Sequence, residues 1–396
     1  MTEPIHIDAL IVGGGCAGLF ALNALRDAGM SALLVENNSL GFGQTTASQG
    51  ILHAGVKYSL GGLAGDDAKE ASDAAHEWVD MLAGKMVDLK NVRVLTRECF
   101  LWRTSGLRGA AGMLGAKLAL RTRPEPLDTN QRPAWLTGVS GEVLTLGETV
   151  IDPRSLLGEL AKPHANLLLK GRVTSVRQNA QDVEIEIEIE SSRRVLVRAR
   201  HLILSAGLGN QDILGLAQVV DSPMQQRPLR QAMIRGALPM VFGHCIDGAK
   251  TRITVTSDCI DGAATDVVWH VGGQIAEDGP AMSESAFAAY AMDEIKKCIP
   301  ALSFKGCEFA SYKVIRAEPR TGDGRRPPKA FTHTSGRITT IWPVKLVLAP
   351  LAATAMMNQL QQIPRATHEY IQWPADLPRP ELAERPWETA TWSPIS

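Results

Sequence analysis

Residues 7 to 36 constrain this chain more than any other stretch. Ile7-Asp8-Ala9-Leu10-Ile11-Val12 is a short apolar run, followed at once by Gly13-Gly14-Gly15-Cys16-Ala17-Gly18, in which Gly13, Gly15 and Gly18 stand at G-x-G-x-x-G spacing. An amphipathic segment with Leu19, Leu22 and Leu25 on one face runs to Gly29, and a second apolar run, Ala32 to Val35, ends on Glu36. That succession predicts strand, tight turn, helix and strand within about 30 residues. Gly13 permits the turn, Gly15 lets the backbone approach a pyrophosphate, and Gly18 lets the helix pack close to the strand. The helix start offers free N–H groups and a positive dipole end to phosphates, and Glu36 can accept from ribose hydroxyls. Glycine turns alone are common. With the strand before, the helix after and the acid at this distance, the stretch points to a bound dinucleotide. The competing reading is a structural turn with Glu36 as a solvated strand end. Cys16 reads as a small packing residue, not a reactive thiol.

At 396 residues the chain suits two domains. Its formal net charge of −1 gives no basic field to draw it to nucleic acid or anionic lipid. Its six cysteines have no CxxC or metal-ligand spacing, which fits reduced thiols in a cytosol. The N-terminus lacks the basic and apolar regions of a signal peptide, and no apolar run reaches the roughly 18 residues that span a bilayer. The expectation is a soluble cytoplasmic protein without a transmembrane segment, compatible with peripheral membrane contact.

Further along, Asn37 to Gly43 reads as a loop, and Gln44 to Tyr58 is rich in glycine and short hydroxyls. Thr45, Thr46 and Ser48 are donors that could reach phosphate or ring oxygens, and Gly50 and Gly55 allow close backbone approach. Helices are predicted over 67–82, 106–123, from 153, over 284–298 and over 348–362. Asp152 is a plausible N-cap and Pro153 a first helical residue. Strands are predicted over 92–95, 99–102, 167–176, 183–190, 195–197, 201–205, 253–256, 267–273, 312–316 and 336–342. The alternation in Val183 to Glu190 predicts an apolar core face and an acidic, solvated edge. The tail from Pro364 carries Trp373, Trp387 and Trp392 among scattered prolines. It reads as an extended strap lying on the body or on a partner subunit.

With these residues in view, the chain resembles the FAD-dependent oxidoreductases of the D-amino-acid-oxidase type. It looks closest to the branch of glycerol-3-phosphate dehydrogenase and L-2-hydroxyglutarate dehydrogenase. The likeness spans about residues 5 to 360 and rests on five motifs in order. They are Gly13 to Gly18 with Glu36; Thr45 to Tyr58; Ile151-Asp152-Pro153-Arg154 with the next helix; Leu204-Ser205-Ala206-Gly207; and Val314 to Glu318 followed by Trp342 to Leu346. The resemblance implies an α/β protein, a doubly wound, Rossmann-like FAD-binding domain with an inserted, mostly antiparallel α+β substrate domain. The segments would be 1–82, 150–222 and 319–363 for the cofactor and 83–149 and 223–318 for the substrate, with 364–396 as the tail.

The resemblance also implies placements. Val173 would meet the adenine edge with its backbone, Ala206 and Gly207 would lie by the pyrophosphate, and Thr45 to Gln49 would run beside phosphates and flavin. Cys16, Ala17, Asn37, Gly50, Leu52 and Val344 join the implied cofactor contacts. Lys345 and Leu346, with the helix after them, would present N–H groups to the flavin. Val344 and Val347 depart from the family pattern, where glycine and threonine are common. Arg316 would clamp a substrate carboxylate or phosphate, unless it is a structural member of an exposed Arg316/Arg320/Arg325/Arg326 cluster. His53 would approach the ring as proton acceptor, packed neighbour or covalent tether, with Lys57 and Tyr58 as weaker cavity candidates. The other histidines read as structural, and no metal is expected.

The resulting expectation is an FAD-dependent dehydrogenase or oxidase acting on a small 2-hydroxy acid or glycerol-phosphate-like alcohol, reoxidised by a quinone, a protein or O₂. The competing readings are an amine or amino-acid substrate, an NAD(P)-linked enzyme, and a subunit of a larger flavin dehydrogenase complex.

Overall fold

The computed structural model describes residues 3–53, 66–104, 125–190, 193–220, 223–247, 250–260, 266–324, 327, 329–360 and 372–395. The expectations for Gly55, Lys57, Tyr58, the 106–123 helix, Arg325 and Arg326 lie outside them.

The glycine run does what its spacing predicts. Strand β1 (Ile5–Val12) leads through the turn into helix α1 (Cys16–Asp27) and then strand β2 (Ala32–Glu36). A parallel sheet grows around them in the order 168–170, β2, β1, 194–204, 338–342. Val12 is in register with both Val35 and Leu204, so three strands end level and their following turns meet at one sheet edge. The strand interiors are near-continuous apolar runs because helices cover them; Leu10, Ile11, Leu33, Leu34, Leu202 and Ile203 are fully buried.

Three sequence expectations change here. The stretch 167–176 is two strands, Leu168–Lys170 and Arg172–Gln178, broken at Gly171, where a Cβ would stand 2.8 Å from Ile187 Cγ2. Runs 195–197 and 201–205 are one strand, Arg194–Leu204, whose two ends serve different partners. Strand Val183–Glu188 is not an edge either. It lies between Arg172–Gln178 and Arg194–Leu204, and its glutamates face arginines: Glu184 with Arg198 at 2.9 Å, Glu188 with Arg172 at 2.6 Å. Alternation identifies a two-faced strand but not what stands beside it.

The second sheet is mostly antiparallel. Its neighbours run, from one edge, 393–394, 308–319, 224–236, 267–272, 250–259, 243–247, 99–103, 143–146, 125–126. Helix Glu284–Cys298 covers it, capped by Ser283, whose hydroxyl accepts from Ala286 N, and ended before Pro300. Phe287, Ile295, Trp269 and Trp102 fill that core. Helix Pro153–Ala161 starts as its Asp152-Pro153 signal predicts, with Asp152 accepting from Arg154 N.

The described part of the tail lies on this same chain. The Trp373 indole is buried and donates to Leu167 O, Leu382 bridges to Leu40, and Ser393–Pro394 adds a strand beside Glu308–Phe309. Between these points Arg385 reaches Asp152, which also pairs with Arg93, itself bonded to Asp258 of the second sheet. The strap thus ties both sheets together. No described helix is long and apolar enough to cross a membrane.

Candidate active site

A cleft of about 1330 Å³ opens between the level strand ends of the parallel sheet and strand Glu308–Pro319 of the other sheet. Its floor is the glycine turn. Gly13 has φ +109°, and a Cβ there would stand 2.5 Å from Ala206 N. A Cβ on Gly18 would be 1.9 Å from Gly13 O, so α1 can press on the turn only with glycine at that position. At Gly15 an added Cβ meets only Thr45 Oγ1, at 3.2 Å, and the residue borders the cleft. These are three different constraints: Gly13 and Gly18 are fixed by close backbone contact, whereas Gly15 is open toward the cleft.

Polar groups at this end are fixed by local bonds. Thr45 Oγ1 accepts from Cys16 N at 3.2 Å, holding a hydroxyl over the start of α1. Burial pushes the Cys16 thiol up, away from thiolate. Glu36 accepts from Gly14 N at 2.6 Å and Asn38 N at 2.7 Å. Burial pushes its carboxyl up, opposed by those N–H groups. Ser205 Oγ donates to Gly13 O at 2.8 Å, and Ala206 N donates to Asn210 Oδ1 at 2.7 Å.

Of the residues singled out from sequence, Gly13, Gly15, Cys16, Ala17, Glu36, Asn37, Thr45, Ser48, Val173, Ala206, Gly207, Arg316, Val344, Lys345 and Leu346 line the cleft. Gly18, Thr46, Gln49, Gly50, Leu52 and His53 do not. Gly18 acts from beneath, as above. Thr46 turns its hydroxyl to Gly41 O, and Gln49 donates to Thr254 O and His270 O across to the other sheet. Gly50 is required by packing, since a Cβ would lie 2.0 Å from Ile151 O. Leu52 pairs with Thr149 in a small three-stranded sheet.

His53, at the end of that pairing, stands beside Glu148 and His244. Its Nδ1 is 3.5 Å from Glu148 Oε1, and His244 Nε2 is 3.1 Å from Glu148 Oε2. Glu148 and His244 are fully buried, and His244 Nδ1 lies 2.9 Å from Thr254 Oγ1. Burial would raise the Glu148 carboxyl, but the two imidazoles outweigh it and hold the group well below the usual carboxylate range. No spacing in the sequence announces this cluster. Its members come from segments 95 and 96 residues apart along the chain, which the fold alone unites. The three ligand atoms lie within 4.8 Å of one another.

The opposite wall is one face of two paired strands. Gln231 pairs with Tyr312 and Arg227 with Arg316, so Gln231, Tyr312 and Arg316 share a face. The Tyr312 hydroxyl donates to Ala47 O at 3.0 Å and also meets His270 Nε2. Gln231 Nε2 donates to the same carbonyl at 3.3 Å. Burial drives His270 down to about 3, so this ring is neutral, and keeps Tyr312 protonated. Arg316 is partly exposed on the cleft and 3.8 Å from the buried Glu318, which Arg227 grips with two bonds. Arg227 thereby satisfies Glu318 and leaves Arg316 on the cleft side. Arg320 turns instead to Met224 O, so the proposed arginine cluster is not one structural unit among the described residues.

Residues 8–332 match the model of the family described as DAO, FAD dependent oxidoreductase. The probable FAD-dependent oxidoreductase PA4991 of Pseudomonas aeruginosa is 36% identical over 398 residues, spanning 98% of this chain and all of that one. Its crystal structure superposes with a TM-score of 0.81 over 98% of this chain and 99% of that chain, at 34% identity. Glycine oxidase of Geobacillus kaustophilus has a TM-score of 0.67, covering 92% of this chain and all of that one at 14% identity. L-alpha-glycerophosphate oxidase of Mycoplasma pneumoniae, with FAD bound, also has a TM-score of 0.67, over 92% and 97% at 15% identity. The last two likenesses concern the fold.

Proposed function

Because this chain belongs to the DAO family of FAD-dependent oxidoreductases, we propose that its cleft seats a small acid beside FAD and that the carbon next to the acid group is oxidised. FAD, when bound, supplies the electron sink. The residues fit that cofactor. The glycine turn is open at Gly15, α1 points its N-terminus at the cleft, and Glu36 stands at the end of β2. The cleft also exceeds the usual range of about 300–1,000 Å³ for small-ligand sites, as a dinucleotide plus a substrate requires.

The observation that carries the substrate reading is Arg316. A guanidinium held on the cleft face, opposite the Gln44–Ser48 loop, can clamp a carboxylate or phosphate through two parallel bonds and orient the neighbouring carbon. Our first reading is a 2-hydroxy acid or glycerol-phosphate-like alcohol, in the glycerol-3-phosphate and L-2-hydroxyglutarate dehydrogenase-like branch. The Ile51-Leu52-His53 and Ile315-Arg316-Ala317-Glu318 runs support it. An amino acid of similar skeleton is the second, since the same clamp serves it. A separate acceptor, a quinone, a protein or O₂, would reoxidise the flavin.

For His53 we propose the packed role over that of substrate base. It stands off the cleft lining, and the fully buried charge of Glu148 needs a cationic neighbour. The test is anaerobic reduction of the purified, FAD-loaded protein by hydroxy acids, amino acids and glycerol phosphate. Arg316→Ala should raise KM at least tenfold for the substrate that bleaches the flavin. An unchanged KM removes Arg316 from the site, and no bleaching by any of them removes the substrate class.

A further inference from the structure

Among the described residues, His53, Glu148 and His244 are the one group of three side chains whose ligand atoms stand close enough to share a metal ion. None of them lines the cleft, so the reaction proposed for it does not use them. They come from two sheets. His53 follows strand Ile51–Leu52 and Glu148 precedes its partner Thr149–Ile151, whereas His244 stands in strand Gly243–Asp247 of the large antiparallel sheet. The two imidazoles lie side by side, centroids 5.5 Å apart and planes tilted by 34°, and each meets a different oxygen of the same carboxylate.

The spacing is that of ligands around a metal. Bonds of about 2.0–2.2 Å put neighbouring donor atoms about 3.0–3.5 Å apart in tetrahedral or octahedral geometry. His244 Nε2 is 3.1 Å from Glu148 Oε2, and His53 Nδ1 is 3.5 Å from Glu148 Oε1. The second distance is long for a charge-assisted hydrogen bond, which closes to about 2.7–2.9 Å. On the far side of the His244 ring, Nδ1 lies 2.9 Å from the buried Thr254 hydroxyl. An N–H donated there leaves the Nε2 lone pair turned toward the carboxylate, which is the support a ligating histidine takes from its outer partner. Glu148 and His244 are fully buried and His53 is 17% exposed, so the group is shielded from water yet open on one side. A buried carboxylate needs a cation, and a dication held by all three side chains answers it with both imidazoles neutral. We propose that His53 Nδ1, Glu148 and His244 Nε2 bind a divalent transition metal, zinc or ferrous iron. Two imidazoles and a carboxylate suit these ions, whereas calcium and magnesium favour shells of oxygen. The metal's place is structural: it fastens the small sheet, which continues from the Gln44–Ser48 loop, to the antiparallel sheet. The inference does not depend on which substrate the cleft takes.

FAD-loaded protein purified without chelators should carry about one zinc or iron per chain, measured by elemental mass spectrometry. After chelator treatment, Zn²⁺ titrated calorimetrically should bind as one equivalent and raise the thermal transition. His244→Ala should abolish that equivalent. Thr254→Val, which keeps all three ligands, should weaken it about 10–100-fold. If His244→Ala fails to fold, Thr254→Val carries the decision, with matching FAD content as its folding check. Zinc bound equally by wild type and by either folded variant is adventitious, at a thiol or elsewhere, and overturns the proposal. A protein that carries no metal as purified and binds neither Zn²⁺ nor Fe²⁺ after chelation overturns it too, and leaves the buried carboxylate to an imidazolium.

Discussion

The two walls of the cleft are built by opposite strategies. The floor wall comes from one continuous stretch, Gly13 to Ser48, in which turn, helix, strand and loop follow each other and Gly14 N and Cys16 N are met from within it, by Glu36 and Thr45. The facing wall is assembled from strands 224–236 and 308–319, paired across more than 70 residues of chain. Its side chains reach across to the first wall, as Gln231 and Tyr312 do in donating to Ala47 O. The first wall is specified by spacing and the second by topology. Local spacing can therefore identify what binds, whereas what reacts depends on residues that meet only after folding.

The largest effect should come from attacking the local wall at a position where no relaxation is available. Gly18→Val places a branched side chain where even a Cβ would be 1.9 Å from Gly13 O. Helix α1 must then leave the turn, and both packing and the cradle go with it. Overlap with backbone puts the expected cost beyond about 4 kcal/mol, seen as insoluble or cofactor-free protein. Folded Gly18→Val with full FAD content would show that the turn is far more pliable than its contacts imply.

A smaller but still large effect is expected in the region joined by topology. Glu148→Ala removes the charge between His53 and His244, in a site without access for solvent to compensate, and should cost about 3–5 kcal/mol in denaturant unfolding. The pH dependence follows from the direction of the shift. The folded-state carboxyl is held below its ordinary value, so its contribution is complete above the ordinary carboxylate range and is lost as pH falls below it. Wild type should lose stability on acidification more steeply than Glu148→Ala; parallel acid-unfolding curves would remove the charge cluster from the account.

That contrast also explains how far the sequence could be read. The glycine run, the Asp152-Pro153 cap and the helix from Glu284 to Cys298 were legible because each is a local instruction. The pattern from about 224 reads as strand-like, but Met224 to Gly236 shows no bounds of its own because it mixes arginines and glutamines with apolar residues. Two of those polar side chains, Arg230 and Gln231, are buried, and they are bonded to Ser311 Oγ and to Ala47 O. Glu148 sits in a Leu146-Gly147-Glu148 turn that looks like any surface loop, yet it is 0% exposed because His53 and His244 close over it. Gln44 opens a run read for its hydroxyls and glycines, while its own side chain accepts from Ala317 N beside Arg316. Burial of polar groups depends on partners, and their position along the chain carries no mark in the sequence.

The smallest effect comes from the one place where the cleft breaks its own local rule. Gly13 and Val344 both line it with positive φ, +109° and +64°, but only the first is glycine. Val344 is the centre of a tight turn closed by Lys345 N donating to Pro343 O at 2.6 Å, a conformation that strains a β-branched residue. Substituting glycine relieves about 1–3 kcal/mol of strain. Against this stand roughly 1.5–2 kcal/mol of lost apolar burial with Trp342, Ala317 and Met224 and about 0.5–1 kcal/mol of added unfolded-state entropy. The terms nearly cancel, so Val344→Gly should unfold within about 1 kcal/mol of wild type. Val347→Gly is the control, three residues on and fully buried, with no strain to release. It should cost at least about 2 kcal/mol. Equal losses at the two valines would mean that the turn carries no strain, and that the departure from glycine at 344 is a packing choice like any other.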